Sequence, residues 1–313
     1  MALISKTIAI TGATGFIGRD LVRFHLKQGD IVRILSRRSI EAKQDLNGSI
    51  SFQGDLIQHI PLNFLTGVDI LYHLAAELHD PSRMRVVNVD GTSNLLTAAV
   101  CAGVRRWVQL SSVGVYGPPT SPVVSETTTP IPANEYERTK LAADLLVEEV
   151  CRQASLEYSI LRPSNVVGSN MKNCSFFALV AAVRRRRFFY IGPHGAIATY
   201  VHVDDVVRAL VACGSAPNGG VYNISSDCTW EVLIERISDF VGVSSPRLRV
   251  PSLPLKAVIS VLGDRMRLPL TSARLAALIN RSHYSTERII TDLGFTYSRP
   301  MPDGIEDVVK AMR

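Results

Sequence analysis

The chain has 313 residues, 46% of them hydrophobic and 20% charged, with a formal net charge of +6 and five cysteines. That length can bury a large core in one domain, or in a domain with an appended lobe, so a complete enzyme is possible without partners. The modest positive charge suits phosphate-bearing ligands, and no basic stripe interleaved with aromatics accompanies it, which argues against a nucleic-acid partner.

The segment from Met1 to Thr11 lacks a long apolar stretch with a small-residue cleavage site, so it predicts no signal peptide and a cytoplasmic protein. No apolar run approaches the roughly 20 residues needed to cross a bilayer. Phe176 to Val183 and Ala257 to Leu262 both fall short, so no membrane partner is expected. Cys101, Cys151, Cys174, Cys213 and Cys228 are scattered and form no CxxC pair, which points to reduced thiols and predicts no metal site.

Thr7 to Ile10 reads as a buried strand that runs into Thr11-Gly12-Ala13-Thr14-Gly15-Phe16-Ile17-Gly18, and Ile17 to Lys27 continues as an amphipathic helix. Glycines at such a strand-to-helix turn permit the bend at Gly12, let backbone amides approach a pyrophosphate at Gly15, and allow close helix packing at Gly18. A dinucleotide is the predicted ligand. Ile31 to Leu35 is the second strand, and it ends on Ser36-Arg37-Arg38 where an NAD-preferring site would carry Asp or Glu. Two guanidinium groups there suit the 2'-phosphate of NADP, with NAD as the alternative.

Further strands are expected at Ile50 to Phe52, Ile70 to Leu74, Trp107 to Leu110 and Tyr158 to Leu161, with helices at Met84 to Ala102 and Glu135 to Ala154. This alternation predicts an α/β fold, a Rossmann-type doubly wound parallel sheet whose ligand lies beyond the carboxyl ends of the strands. After Pro163 the alternation lapses. Residues 1–168, with 201–226 returning to the sheet, are assigned to the dinucleotide-binding domain, and 169–200 with 227–313 to a smaller C-terminal substrate-binding lobe. Arg184 to Arg187 close an apolar helical segment, and the same residues could instead form a phosphate-attracting rim.

Tyr136 and Lys140 stand four apart in a predicted helix and project from one face. An ammonium beside a phenol lowers the phenol's pKa and leaves Lys140 able to hold a ribose. Ser112, just past the strand ending at Leu110, would supply a second hydroxyl to the same substrate oxygen.

With these residues assembled, the chain resembles the extended short-chain dehydrogenase/reductases, also called the NAD-dependent epimerase/dehydratase group. The likeness also covers Gly54-Asp55-Leu56, His73-Leu74-Ala75-Ala76, Asn88 to Thr92, Ser111-Ser112 with Val115-Tyr116-Gly117, Leu161-Arg162-Pro163 and Tyr200 to Asp205. It implies cofactor contacts from Thr14, Phe16, Ile17, Ser36, Asp55, Leu56, Leu74, Ala75, Ala76, Asn88, Ser111 and Pro163. On the substrate side it implies Glu77, Ser112, Asn165 and His202. Asp204 and Asp205 are expected to cap a helix start rather than to bind a metal.

Dehydratases of this group carry Asp-Glu after the catalytic hydroxyl residue, whereas Val113-Gly114 stand here. The resemblance therefore implies an NADPH-dependent reductase of a 4-keto nucleotide sugar, with a nucleotide-sugar 4-epimerase as the alternative. Ala198 occupies a position where many nucleotide-sugar members place a diphosphate-binding Arg, and Arg184 to Arg187, or Arg265 and Arg267, would have to replace it. A hydroxysteroid-dehydrogenase-like or flavonol-reductase-like enzyme of an apolar ketone is the rival, and an NADP-sensing regulatory protein the non-enzymatic one. By resemblance a homodimer is expected, with Leu141, Leu145 and Val150, together with Leu95 and Ala99, as a candidate seam.

Overall fold

The computed structural model describes residues 5–38, 46–171, 174–255 and 272–312. Lys172, Asn173, Arg265, Arg267 and the stretch Ala257 to Leu262 lie outside the described residues. In chain order the strands are β1 (Thr7–Thr11), β2 (Ile31–Ser36), β3 (Ile50–Gln53), β4 (Ile70–His73), β5 (Arg106–Leu110), β6 (Val123–Val124), β7 (Glu157–Pro163) and β8 (Asn165–Val167). They continue as β9 (Tyr190–Ile191), β10 (Ile197–Ala198), β11 (Tyr200–His202), β12 (Gly220–Ile224), β13 (Cys228–Thr229), β14 (Arg249–Val250) and β15 (His283–Tyr284).

Seven strands form one sheet in the order β12-β7-β5-β4-β1-β2-β3, and every neighbouring pair is parallel. The chain winds outward from β1 in one direction through β2 and β3, then returns to its other side through β4, so the crevice between β1 and β4 is the topological switch point. Alternation along β1 sends its side chains to two different cores. Ile8 and Ile10 pack with Leu21, Val206 and Leu210 beneath α1 (Phe16–Lys27) and the helix Val203–Gly214. Ala9 packs on the opposite face with Leu71, Leu95, Trp107 and Val147. A third core, including Phe176, Val180, Trp230, Leu233, Ile305 and Val308, lies in the C-terminal half outside the main sheet.

The helix expected over Met84 to Ala102 is not continuous. It begins at Pro81–Arg85, where the Asp80 carboxylate accepts the Ser82 amide, passes through a π-helical turn at Val86–Asp90, and resumes at Gly91–Cys101. The π-turn contains Asn88, whose side chain accepts from Glu77 N at 2.7 Å and donates to Glu77 O at 3.1 Å and Thr139 Oγ1 at 3.1 Å. Helices carry such bulges often at functional positions, and here three buried or half-buried hydrogen bonds depend on it.

The long helix Glu135–Ala154 matches the sequence expectation and is closed at both ends. Asn134 Oδ1 accepts Glu137 N at 3.0 Å, Glu137 Oε2 reaches back to Ala133 N at 2.7 Å, and Ser155 ends the helix in the left-handed region. Leu95 and Ala99 are fully buried against the sheet, so they cannot line an outer seam. Leu141 packs on the cluster around Val115 and Tyr116, and of the proposed seam residues only Leu145 is largely exposed, at 56%. Among the described residues, no helix is long and apolar enough to cross a membrane.

Candidate active site

The carboxyl ends of β1, β2, β4, β5 and β7 open onto one cleft of about 990 Å³. Its first wall is the glycine turn. Gly12 has φ +70°, and a Cβ built there would lie 2.7 Å from Ala75 N; one on Gly18 would lie 2.2 Å from Gly12 O. No side chain fits at either place without moving backbone. Gly15 begins α1, which has no side-chain cap and no acidic residue in its first turn. The amides of that turn, with the positive end of the helix dipole, are left facing the cleft, the arrangement that receives a pyrophosphate.

Beneath the turn, Thr11 Oγ1 meets His73 Nδ1 at 2.6 Å, and His73 Nε2 meets Thr92 Oγ1 at 3.0 Å. Thr11 Oγ1 also accepts Ala75 N at 3.3 Å. Burial, with Lys140 adding to it, pushes the His73 imidazole down to about 3, so this brace is neutral. The Ser36-Arg37-Arg38 segment and Gly54 to Ile57 line the far end of the cleft, and Asp55 Oδ1 closes its own turn on Ile57 N at 2.8 Å. Among the described residues neither Arg37 nor Arg38 is in an ion pair.

The other end holds Ser111, Ser112, Tyr136, Lys140, Pro163 and Ser164. Ser112 Oγ accepts Gly114 N at 3.0 Å and lies close enough to the Tyr136 phenol to lower its pKa. Burial pushes that phenol up to about 12, and the Asp144 and Glu137 carboxylates add to the rise while the Ser112 hydroxyl opposes it. The expectation that Lys140 acidifies Tyr136 is not met, since the charges acting on the phenol are those of Asp144 and Glu137. The Lys140 ammonium instead donates to the Leu110 carbonyl at 2.6 Å, and burial lowers its own pKa, partly offset by Asp144.

Asp144, one turn further along the helix, is a residue that the sequence reading missed. It is fully buried, and its Oδ2 accepts from Ser111 Oγ at 2.8 Å and Arg162 Nε at 3.0 Å. Arg162 continues to Tyr116 Oη at 3.0 Å, which bonds Asn223 Oδ1 at 2.9 Å. Its signal in the sequence was a carboxylate at i+4 from Lys140, continuing the helix face that carries Tyr136 and Lys140. Also unanticipated on the lining are Thr11, Leu35, Gly54, Ile57, Leu78, Val87, Leu110, Ser164 and Val166.

Gly12, Thr14, Gly15, Phe16, Ile17, Gly18, Leu56, Leu74, Ala75, Ala76 and Glu77 line the cleft as well. Glu77 has one carboxylate oxygen accepting the Leu78, His79 and Asp80 amides, which holds its pKa below the usual range. Three expected residues do not line the cleft. Asn88 lies beneath it, fastening Glu77. Asn165 is exposed and donates to Thr199 O at 3.0 Å across the β8–β11 pair. His202 is buried and caps the helix Val203–Gly214, with Nδ1 accepting Asp204 N at 3.1 Å. That cap displaces the one expected from Asp205, whose carboxylate instead accepts Ser298 N and Oγ and Arg299 N. Ala198 is buried in β10, and Arg184 to Arg187 do not line the cleft either. Among the described residues no group of three His, Cys, Asp or Glu side chains could hold a metal.

Residues 8–225 match the NAD dependent epimerase/dehydratase family, and the chain belongs to it. It is therefore an oxidoreductase-type enzyme, and the cradle of Gly12, Gly15 and Gly18 fits a nicotinamide dinucleotide. The sterol demethylase protein B of Methylococcus capsulatus is 33% identical over 274 residues, 82% of this chain and 81% of that one. A UDP-glucose 4-epimerase of Mycolicibacterium smegmatis is 32% identical over 295 residues, 85% of this chain and 90% of that one. The match to an uncharacterized protein y4nG of Sinorhizobium fredii, 27% identical, covers 80% of this chain but only 64% of that relative, so the chain spans less than two thirds of its length. Among solved structures, MoeE5 in complex with UDP-glucose and NAD superposes with a TM-score of 0.74 at 27% identity, over 98% of both chains.

Proposed function

We propose that this enzyme is an NADPH-dependent reductase of a 4-keto nucleotide sugar. The observation that carries the reading is the meeting of Ser112, Tyr136 and Lys140 at one end of a cleft whose other end carries Arg37 and Arg38. Residues 169–200 and 227–313 would form the substrate side. The bound nicotinamide would supply hydride to the carbonyl carbon. Ser112 and Tyr136 would hold the carbonyl oxygen as it gains charge, and Tyr136 would give it the phenolic proton, completing the alcohol. Burial raises the phenol's pKa, so at neutral pH Tyr136 carries the proton that a reduction requires. Lys140, held on the Leu110 carbonyl, would orient the ribose. Arg37 and Arg38 would hold the 2'-phosphate of NADP.

Two comparisons support a nucleotide sugar, the UDP-glucose 4-epimerase relative and the UDP-glucose complex of MoeE5. Gly114 supports reduction over dehydration, because the position offers no carboxylic acid. The buried Ala198, and the sterol demethylase protein B relative, favour an apolar hydroxysteroid-like substrate as the second reading. If the protein dimerises through the helices Gly91–Cys101 and Glu135–Ala154, the exposed Val100 and Leu145 are the apolar side chains available for the contact.

The test is consumption of NADPH and NADH, in parallel, with a panel of 4-keto nucleotide sugars. NADPH turnover that falls at least about 100-fold in Tyr136→Phe supports the proposal. Interconversion of sugar isomers without net cofactor consumption replaces it with an epimerase. Turnover of hydroxysteroids alone replaces it with the apolar reading.

A further inference from the structure

Just past β5 the short turn Val113–Tyr116 carries Gly114, and the helix Glu135–Ala154 carries Glu137 directly after Tyr136. The two meet beside Ser112. A Cβ built on Gly114 would lie 3.1 Å from Glu137 Cγ, 3.3 Å from Ser112 Oγ and 3.6 Å from Glu137 Oε1. The side chain missing at position 114 is therefore the room that the Glu137 side chain uses to come near the Ser112 hydroxyl. Glu137 is half-buried, and its Oε2 is committed to the Ala133 amide at 2.7 Å, which closes the start of the helix. Its Oε1 has no hydrogen-bond partner among the described residues.

The C-terminal half reaches the same place. Pairing of β15 with β6 sets the Tyr284 ring 6.4 Å from the Tyr116 ring. Burial pushes the Tyr284 phenol up to about 12, and the Asp227 and Glu137 carboxylates add to the rise. The charge of Glu137 thus acts on phenols from both halves of the molecule, Tyr136 on the catalytic helix and Tyr284 on the segment assigned to the substrate side. Gly114 and Glu137 are not on the lining of the dinucleotide cleft, and they adjoin it through Ser112 and Tyr136, which are. The free oxygen is set beyond the cofactor's cleft, next to the hydroxyl that would hold a substrate carbonyl.

We propose that Glu137 Oε1 is a specificity-determining acceptor, which receives the hydroxyl on the carbon next to the substrate's reacting carbonyl. A carboxylate only accepts hydrogen bonds, and it repels a second anion. The group that suits it is a neutral donor, the hydroxyl of an α-hydroxy ketone, and neither a phosphate nor a plain hydrocarbon. The inference rests on the reductase reading of the site and deepens it, since on a 4-keto sugar the neighbouring hydroxyl is the one on carbon 3. Gly114 has a part in the same device, because a side chain there would press on Glu137.

The test compares kcat/KM for a 4-keto nucleotide sugar and for its 3-deoxy counterpart, with whichever of NADPH and NADH the enzyme uses. The wild type is expected to favour the hydroxylated substrate about 10- to 100-fold, the value of one hydrogen bond to a charged acceptor. In Glu137→Gln the amide oxygen keeps the Ala133 N–H and the NH₂ stands where Oε1 stood. The acceptor is lost, and the preference should fall to within about threefold of unity. Glu137→Ala should do the same, because its lost helix cap affects both substrates alike and cancels in the ratio. Gly114→Ala keeps every other side chain but crowds Glu137 Cγ, so a reduced preference there decides the matter if the Glu137 variants do not fold. A wild type that reduces both sugars equally well, or a preference unchanged in the variants, would overturn this inference alone. No reduction of either sugar by the wild type would overturn the reductase reading and the inference with it.

Discussion

Replacing Asp144 by Asn keeps the shape of the side chain and removes a buried charge that Ser111, Arg162, Lys140 and Tyr136 all feel. Its Oδ2 holds Ser111 Oγ and Arg162 Nε, and the Arg162 side chain is only 6% exposed, so the guanidinium cannot turn to water when its partner is neutralised. Breaking a buried pair from one side costs about 3–5 kcal/mol, because the remaining charge stays desolvated. For 313 residues at about 2 cal/mol/K each, the unfolding entropy is near 0.7 kcal/mol/K, so Tm should fall by about 5–8 °C. Asp144→Leu combined with Arg162→Met removes both charges and should recover most of that loss. Scanning calorimetry at neutral pH reads the stability, and a pH–rate profile reads the chemistry. Asp144 raises the pKa of both Tyr136 and Lys140, so its neutralisation should move the alkaline limb of the profile to lower pH. Other charges facing the pair, Glu137 near Tyr136 and Glu148 near Asp144, are unchanged by the substitution. A Tm within about 1 °C of wild type, together with an unmoved alkaline limb, would refute both the energetic and the electrostatic argument.

Gly18→Ala places a Cβ 2.2 Å from Gly12 O and 2.8 Å from Ala13 Cα. The overlap is with backbone, so stability should drop by about 1–3 kcal/mol and dinucleotide affinity by at least about tenfold. Gly29→Ala, at φ +81° with open space around it, should cost about 1–2 kcal/mol and leave the affinity unchanged; equal affinity losses in the two variants would count against the cradle. Arg37→Ala and Arg38→Ala should each weaken NADP about 10- to 100-fold in equilibrium titration and leave NAD unaffected, and parallel losses for both cofactors would remove the phosphate assignment. His73, with its folded pKa of about 3 against an ordinary 6.5, stays neutral in the folded protein while the unfolded chain takes up a proton. Its contribution to stability is present above pH 6.5 and is lost progressively as the pH falls toward 3, with His25 acting in the same direction from its smaller depression. Urea unfolding between pH 8 and pH 4.5 should show that decline, and His73→Gln should flatten it; an identical slope in the variant contradicts the assignment.

Much of the cofactor end was legible because its chemistry is local. Gly12, Gly15 and Gly18 lie within seven residues and act through backbone conformation and packing between immediate neighbours, and β1 and α1 follow from hydrophobic period alone. Tyr136 and Lys140 share a helix, so their spacing already fixes their common face. Ser112 was readable because it ends a strand in a parallel sheet, where side chains just past the carboxyl end meet the ligand. Asn165 and His202 lie off the cleft lining for the opposite reason. A polar residue at a strand end either faces the cleft or satisfies a neighbouring loop or helix end, and only the path of the next segment decides which. For Asn165 that segment brings the Thr199 carbonyl, and for His202 it starts the helix whose Asp204 amide the imidazole caps.

The sequence by itself determined the doubly wound parallel sheet, the glycine turn and the spacing of Tyr136 to Lys140, because each depends on periodicity or on contacts a few residues apart, whereas the strand order and the switch point came from the structure. Tertiary structure alone decided the electrostatics. Lys140 reaches the carbonyl of Leu110, Asp144 meets Arg162, and Ser164 meets Ser225. These partners are 18 to 61 residues apart along the chain and become neighbours only where parallel strands end together. A pKa or the direction of a hydroxyl proton depends on desolvation and on every charge nearby, quantities that exist only once the core has closed.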